Sequence, residues 1–150
     1  MTAHKIGDQW LGKFVPYLSY RITSQHNRLL RKRLRRSGIN IARWRVLAVL
    51  QDNGRLNISQ IVERTIIEQP TVSRIVDQLE REGLAFRESC DQDSRFVQVM
   101  LTEAGEQAFS EIYPVATRHQ EQGLKDFSKQ EIETLIGFLD RIQANIESNH

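Results

Sequence analysis

The chain has 150 residues, 39% of them hydrophobic and 27% charged, with only eight glycines and three prolines. That is enough chain for one domain, or one domain with a helical extension, which buries roughly 68–70% of its unfolded surface, and the composition is not that of a collagen, linker or disordered protein. The longest uninterrupted apolar run, Val46 to Leu50, is far too short for a membrane helix, the opening residues lack the apolar core of a signal peptide, and a single cysteine, Cys90, leaves no internal disulfide or cysteine-based zinc cluster. A cytoplasmic protein is expected. The net charge of +2 hides an asymmetry: residues 21–95 carry fifteen Lys/Arg, fourteen of them Arg, against nine Asp/Glu, whereas the remainder holds six against ten. A basic middle between acidic flanks is the electrostatic pattern of a surface that meets phosphate.

From Gly7 to about Arg36, Leu11, Phe14, Val15, Leu18, Ile22, Leu29, Leu30 and Leu34 recur at three and four, predicting a long amphipathic helix with an interruption near Pro16 and a stop at Ser37-Gly38. Asn40 stands at an N-cap before a second helix, IARWRVLAVLQDN, which Gly54 ends. Asn57 and Gln60 have capping-box spacing before ISQIVERT; after the break TIIEQ, Pro70 opens a further helix, spanning 69–83 with its end at Gly83. In that helix Val72, Ile75, Val76 and Leu79 form the buried stripe, leaving Thr71, Ser73, Arg74, Asp77 and Gln78 off it. The period then changes: AFRES and FVQVML flank the polar segment CDQDSR as the strands of a hairpin flank its tip. Thr102 caps a helix running to about Asp126, and Ser128 with Glu131 forms a capping box for a last helix striped by Ile132, Leu135, Ile136, Leu139, Ile142 and Ile146.

A short helix, a tight break, a second helix with polar residues at its start and a following hairpin define a winged helix-turn-helix in a mainly α fold. One helix fits the major groove, about 12 Å wide, with its N-terminal side chains against base edges. In that position Gln69 can pair with adenine, Thr71 and Ser73 can bond bases or phosphates, and Arg74 can grip guanine or a phosphate. At the hairpin tip, Arg95 suits the narrow, electronegative minor groove of adenine-thymine tracts, with Asp93 orienting its guanidinium.

The stretches IARWRVLAVLQDNG, LNISQIVERTIIEQPTVSRIVDQLEREGLAFRE and DQDSRFVQVMLTEAG together resemble the MarR family of winged helix-turn-helix transcriptional regulators over nearly the whole chain. The resemblance implies that Thr71, Ser73 and Arg74 lie on the recognition helix and that Asp93 and Arg95 are the Asp-x-Arg pair of the wing. Ser94 stands where many members carry a second wing Arg, and Cys90 where an Asp is frequent. The resemblance further implies a homodimer, built from residues 1–36 and 103–150 around a DNA-binding region at 37–102, that represses at a pseudo-palindromic operator. The apolar stripes of the first and last helices support such pairing independently, and recognition helices related by a two-fold axis would read half-sites about one helical turn apart.

Release by a small aromatic or phenolic ligand is also implied, with Tyr17, Tyr20, Arg21, His26 and Trp44 as the residues of suitable chemistry. No cofactor is expected. The four histidines, His4, His26, His119 and His150, are scattered without ligand spacing, and oxidant sensing through Cys90 would need the thiol of a second subunit. With no phosphate-binding glycine loop and no recognisable catalytic constellation, the chain does not read as an enzyme. The competing reading is a winged-helix adaptor for protein or RNA, which would lack both operator preference and steep salt dependence.

Overall fold

The computed structural model describes residues 10–89 and 96–148, and the chain divides into two compact units, 1–116 and 117–150. A short 3-10 turn, Trp10–Lys13, precedes α1 (Val15–Leu34), α2 (Ile41–Asn53), α3 (Ile58–Thr65), α4 (Gln69–Arg81), β1 (Ala85–Ser89), β2 (Val97–Leu101), α5 (Glu103–Gly123) and α6 (Lys129–Glu147). This is a mainly α fold with one two-stranded hairpin, as the sequence predicts.

The start and stop signals act where the sequence places them. Asn40 accepts the backbone N–H of Arg43 at 2.8 Å, Asn57 and Gln60 close a reciprocal capping box, and Gly38, Gly54 and Gly83 take the positive φ that ends a helix without steric cost. Helix ends shift by two residues at Leu34 and Arg81, and two boundaries move further from the expectation. Pro16 does not interrupt a helix begun at Gly7; it lies in the first turn of α1, where its missing N–H has no helical acceptor to lose, and residues 1–9 lie outside the described residues. α5 ends at Gly123 rather than near Asp126, the chain leaving through a turn in which Asp126 has a φ of +68°.

The core of the first unit lies between the helices and the hairpin. Leu34, Val46, Leu47, Leu50, Ile61, Val72, Val76, Leu79 and Val99 are fully buried, so the stripe predicted for α4 faces inward. The hairpin pairs Ala85 with Leu101 and Ser89 with Val97, and Leu56, just before α3, exchanges both backbone hydrogen bonds with Val99, which ties the sheet to the helix-turn-helix. At the hairpin's exit the Thr102 hydroxyl donates to Gly83 O at 2.6 Å and accepts from Gly105 N at 3.1 Å. α5 passes so close to the chain before β1 that a Cβ at Gly105 would lie 2.0 Å from Leu84 O; only glycine permits that approach.

Outside this core α1 and α6 leave apolar residues uncovered. On α1 only Leu30 and Leu34 are buried, while Val15, Leu18, Ile22 and Leu29, with Phe14 just before them, are exposed. In the second unit, α6 buries none of its residues; Leu135, Ile136, Leu139, Ile142 and Ile146 stand exposed along one side of a helix capped by Ser128 and Glu131. The Glu131 carboxyl is held below the usual carboxylate range by the Ser128 backbone N–H and hydroxyl.

Candidate nucleic-acid interface

α3 and α4 are joined by three residues, 66–68, and the sharpness of the joint comes from Ile66. With φ of +55° and ψ of +41° it occupies the left-handed region, unusual for a β-branched residue, and its side chain is 91% exposed. Thr65 beside it is buried, its hydroxyl donating to Ile61 O at 2.6 Å, so that hydroxyl is not stranded under the turn. Glu68 then returns to an extended conformation, and Pro70 starts α4 in the first turn.

Because Val72, Ile75, Val76 and Leu79 face the core, α4 presents the opposite side outward: Gln69 and Arg74 are exposed, and Thr71 and Ser73 are half-buried at its start. These four candidates therefore share the N-terminal half of one helix. Asp93 and Arg95, like Cys90, lie outside the described residues.

The C-terminal half of α4 is acidic, and its carboxylates are engaged. Arg43, near the start of α2, forms a two-pronged ion pair with Glu82, its Nη1 donating to Oε1 at 3.0 Å, and Gln78 donates to the same oxygen at 3.1 Å. The hydrogen bond from Arg43 is the main cause that holds the Glu82 carboxyl below its ordinary range, against the opposing effect of burial. On the other side Arg87 of β1 pairs with Asp77 at 2.8 Å and with Glu80, whose carboxylate also accepts the Arg87 backbone N–H at 3.1 Å. Arg55 pairs with Glu88 at 3.5 Å. On sequence alone Arg43 and Arg87 count as surface charge for a partner. In the structure they neutralise the acidic end of α4 instead and brace it against α2 and β1, which leaves Arg74 as the charged side chain of its exposed N-terminal half.

Two clefts flank this arrangement. One, of about 480 Å³, lies between α1, the start of α2 and α4, and is lined by Arg31, Arg45 and Arg74 together with Asn27, Thr71 and Gln78. The other, of about 540 Å³, lies between α1, α2 and the end of α3, with Thr23, Asn27, Trp44, Arg45, Val49 and Arg64 among its lining residues. Of the residues singled out for a small ligand, Trp44 lines this second cleft and stacks on Phe109 of α5, centroids 5.2 Å apart and planes within 5°. Tyr17 and Arg21 sit further toward the start of α1, the Arg21 guanidinium 5.8 Å above the Tyr17 ring; Tyr20 is 69% exposed and His26 half-buried. Sequence reasoning does not single out Arg31, Arg45, Asn27 or Arg64, because only the packing of α1 across α2 brings them to these clefts. Among the described residues no group of His, Cys, Asp or Glu is arranged to hold a metal ion, and no helix is long and apolar enough to cross a membrane.

Helix, sharp turn, helix and hairpin, with the second helix outward, define a winged helix-turn-helix protein. Comparison with known proteins gives the family. The MarR family model matches residues 37–95. A MarR family transcriptional regulator from Silicibacter pomeroyi is 31% identical, with 95% of this chain and 97% of that one superposed at a TM-score of 0.86. The HTH-type transcriptional repressor IacR of Pseudomonas putida is 26% identical over 135 residues, 90% of this chain and 81% of that protein. BpsR of Bordetella bronchiseptica, whose DNA binding is regulated by 6-hydroxynicotinic acid, shares the fold at a TM-score of 0.73 and 24% identity, over 86% of this chain and 98% of that one. The chain belongs to the MarR family of transcriptional regulators, and it is not an enzyme.

Proposed function

We propose that this regulator is a homodimeric, cytoplasmic repressor that binds a pseudo-palindromic operator in double-stranded DNA. α4 enters the major groove, with Gln69, Thr71, Ser73 and Arg74 at the bases and adjacent phosphates, and the wing carries Arg95, oriented by Asp93, into the neighbouring minor groove. The observation that carries this reading is the division of charge along α4: its acidic half is neutralised by Arg43 and Arg87, and its outward N-terminal half offers short polar side chains and the Arg74 guanidinium. An unneutralised acidic recognition helix would be repelled by phosphate. Dimerisation through α1, α5 and α6 is supported by the bare apolar stripes of α1 and α6, which a second copy would cover. The regions 1–36 and 103–150 supply that interface and 37–102 the DNA-binding part.

The cleft beside Trp44 fits a small aromatic or phenolic ligand: an indole wall backed by Phe109, with Arg45 and Arg64 for a carboxylate. Tyr17, Tyr20, Arg21 and His26 of α1 supply further aromatic and cationic groups for such a ligand. The regulation of BpsR by a hydroxylated aromatic carboxylate supports the same ligand class. Selection of bound duplexes from a random pool, with and without a panel of aromatic carboxylates and phenols, tests both parts. An enriched palindrome lost in the presence of one compound is the expected result; no enrichment would favour a protein or RNA adaptor.

A further inference from the structure

The cleft between α1, α2 and α4 gathers arginines from three helices, among them Arg74 of the recognition helix and Arg45, which also borders the aromatic cleft. Arg31 comes from the end of α1, Arg45 from α2 and Arg74 from α4, and all three line one opening of about 480 Å³ in which no carboxylate stands among the described residues. Arg43, Arg55 and Arg87 in the same unit are matched by Glu82, Glu88, Asp77 and Glu80. The three cleft arginines have no such partner among the described residues; the one side-chain bond they make there is from Arg45 to Asn27 Oδ1 at 3.3 Å. A basic residue in the last turn of α1 suits the helix dipole, but that leaves the convergence with Arg45 and Arg74 unaccounted for. Like charges gathered on one concave surface raise its potential and attract an anion, and guanidinium groups match the paired oxygens of a phosphate. The cleft borders the outward face of α4, since Thr71, Arg74 and Gln78 belong to both.

We propose that Arg31, Arg45 and Arg74 form a clamp for one backbone phosphate of bound DNA, so that α1, besides its place in the dimer interface, carries part of the DNA affinity. This rests on the reading of α4 as the DNA-binding helix. A phosphate held here fixes how deeply α4 sits in the groove without itself reading sequence.

The test compares full-length wild type with Arg31→Ala, Arg45→Ala, Arg45→Lys and, as a control of equal charge change in the second unit, Arg118→Ala. Affinity for the selected duplex and a scrambled one is measured by fluorescence anisotropy from 50 to 300 mM KCl, with circular dichroism confirming that each variant is folded. Arg31→Ala and Arg45→Ala are expected to weaken both duplexes by a similar factor, about tenfold, and to flatten the slope of log affinity against log salt by about 0.9 for a lost phosphate contact. Arg45→Lys should restore the slope, and Arg118→Ala should leave it at the wild-type value. Unchanged affinity and slope in Arg31→Ala and Arg45→Ala, with a steep wild-type slope, would overturn the clamp and leave DNA binding by α4 intact. A wild type that binds neither duplex would overturn both; calorimetric titration with inorganic phosphate, lost in Arg31→Ala, would then reassign the cleft to a free anion.

Discussion

The winged helix-turn-helix and the stripe of α6 are both patterned with apolar residues at helical spacing, yet they end in opposite states. Val72, Val76 and Leu79 of α4 are sealed in the core of the first unit, whereas Leu139, Ile142 and Ile146 of α6 stand exposed. The winged helix-turn-helix closes its own core, whereas α6 leaves its apolar stripe uncovered. A contiguous exposed stripe of this kind supports the dimer interface proposed above.

The largest effect is expected at the bare stripe of α6. Leu139→Glu should convert a dimer to a monomer in light scattering while helical circular dichroism persists; a dimer of unchanged mass would remove α6 from the interface. In the closed core, Leu47→Ala should cost about 2–5 kcal/mol in urea unfolding, because the lost contacts and the cavity add. A cost below about 1 kcal/mol would mean that this core is loosely packed. Ile66→Gly sharpens the picture at the turn. It removes a β-branched side chain from the left-handed region without surrendering buried surface, so stability should rise by about 1 kcal/mol, and a loss instead would show that the exposed side chain packs on something.

The smallest effect concerns pH. The folded Glu82 carboxyl lies below its ordinary range because Arg43 favours its charged form, so the pair stabilises the fold above the unfolded carboxylate pKa, and that contribution is lost as pH falls through the folded value. Since Glu82 is 39% exposed, solvent screening keeps this below about 1 kcal/mol. Glu82→Gln should therefore be slightly less stable than wild type at neutral pH and equal to it in strong acid. A difference that grows on acidification would contradict the assignment.

Most of the fold is legible in local signals. Asn40, Asn57, Thr102 and Ser128 each cap the helix they precede, and the stripe of α4 faces the core, because caps and 3.6-residue periodicity act within a few residues. The turn at Ile66 is not legible in this way: no Gly or Asn marks the left-handed residue, and the tertiary packing of α3 and α4 imposes it. The pairs Arg43 with Glu82 and Arg87 with Asp77 are equally hidden, since the first joins residues 39 apart and neither follows a helical spacing. For the same reason the arginine cleft shows in the sequence only as part of a diffuse positive charge. Periodicity reveals the stripes of α1 and α6 but not what covers them.

In the function proposed above, the outward half of α4 reads double-stranded DNA. Its most direct test is the ratio of affinities for the selected duplex and a scrambled one of equal length, measured at two salt concentrations for wild type and for the pair Ser73→Ala and Arg74→Ala. A preference on the order of a thousandfold or more for the selected duplex is expected, with affinities that fall steeply with salt and a ratio that collapses in the α4 variants. Equal affinity for both duplexes, or a ratio indifferent to Ser73 and Arg74, would contradict it.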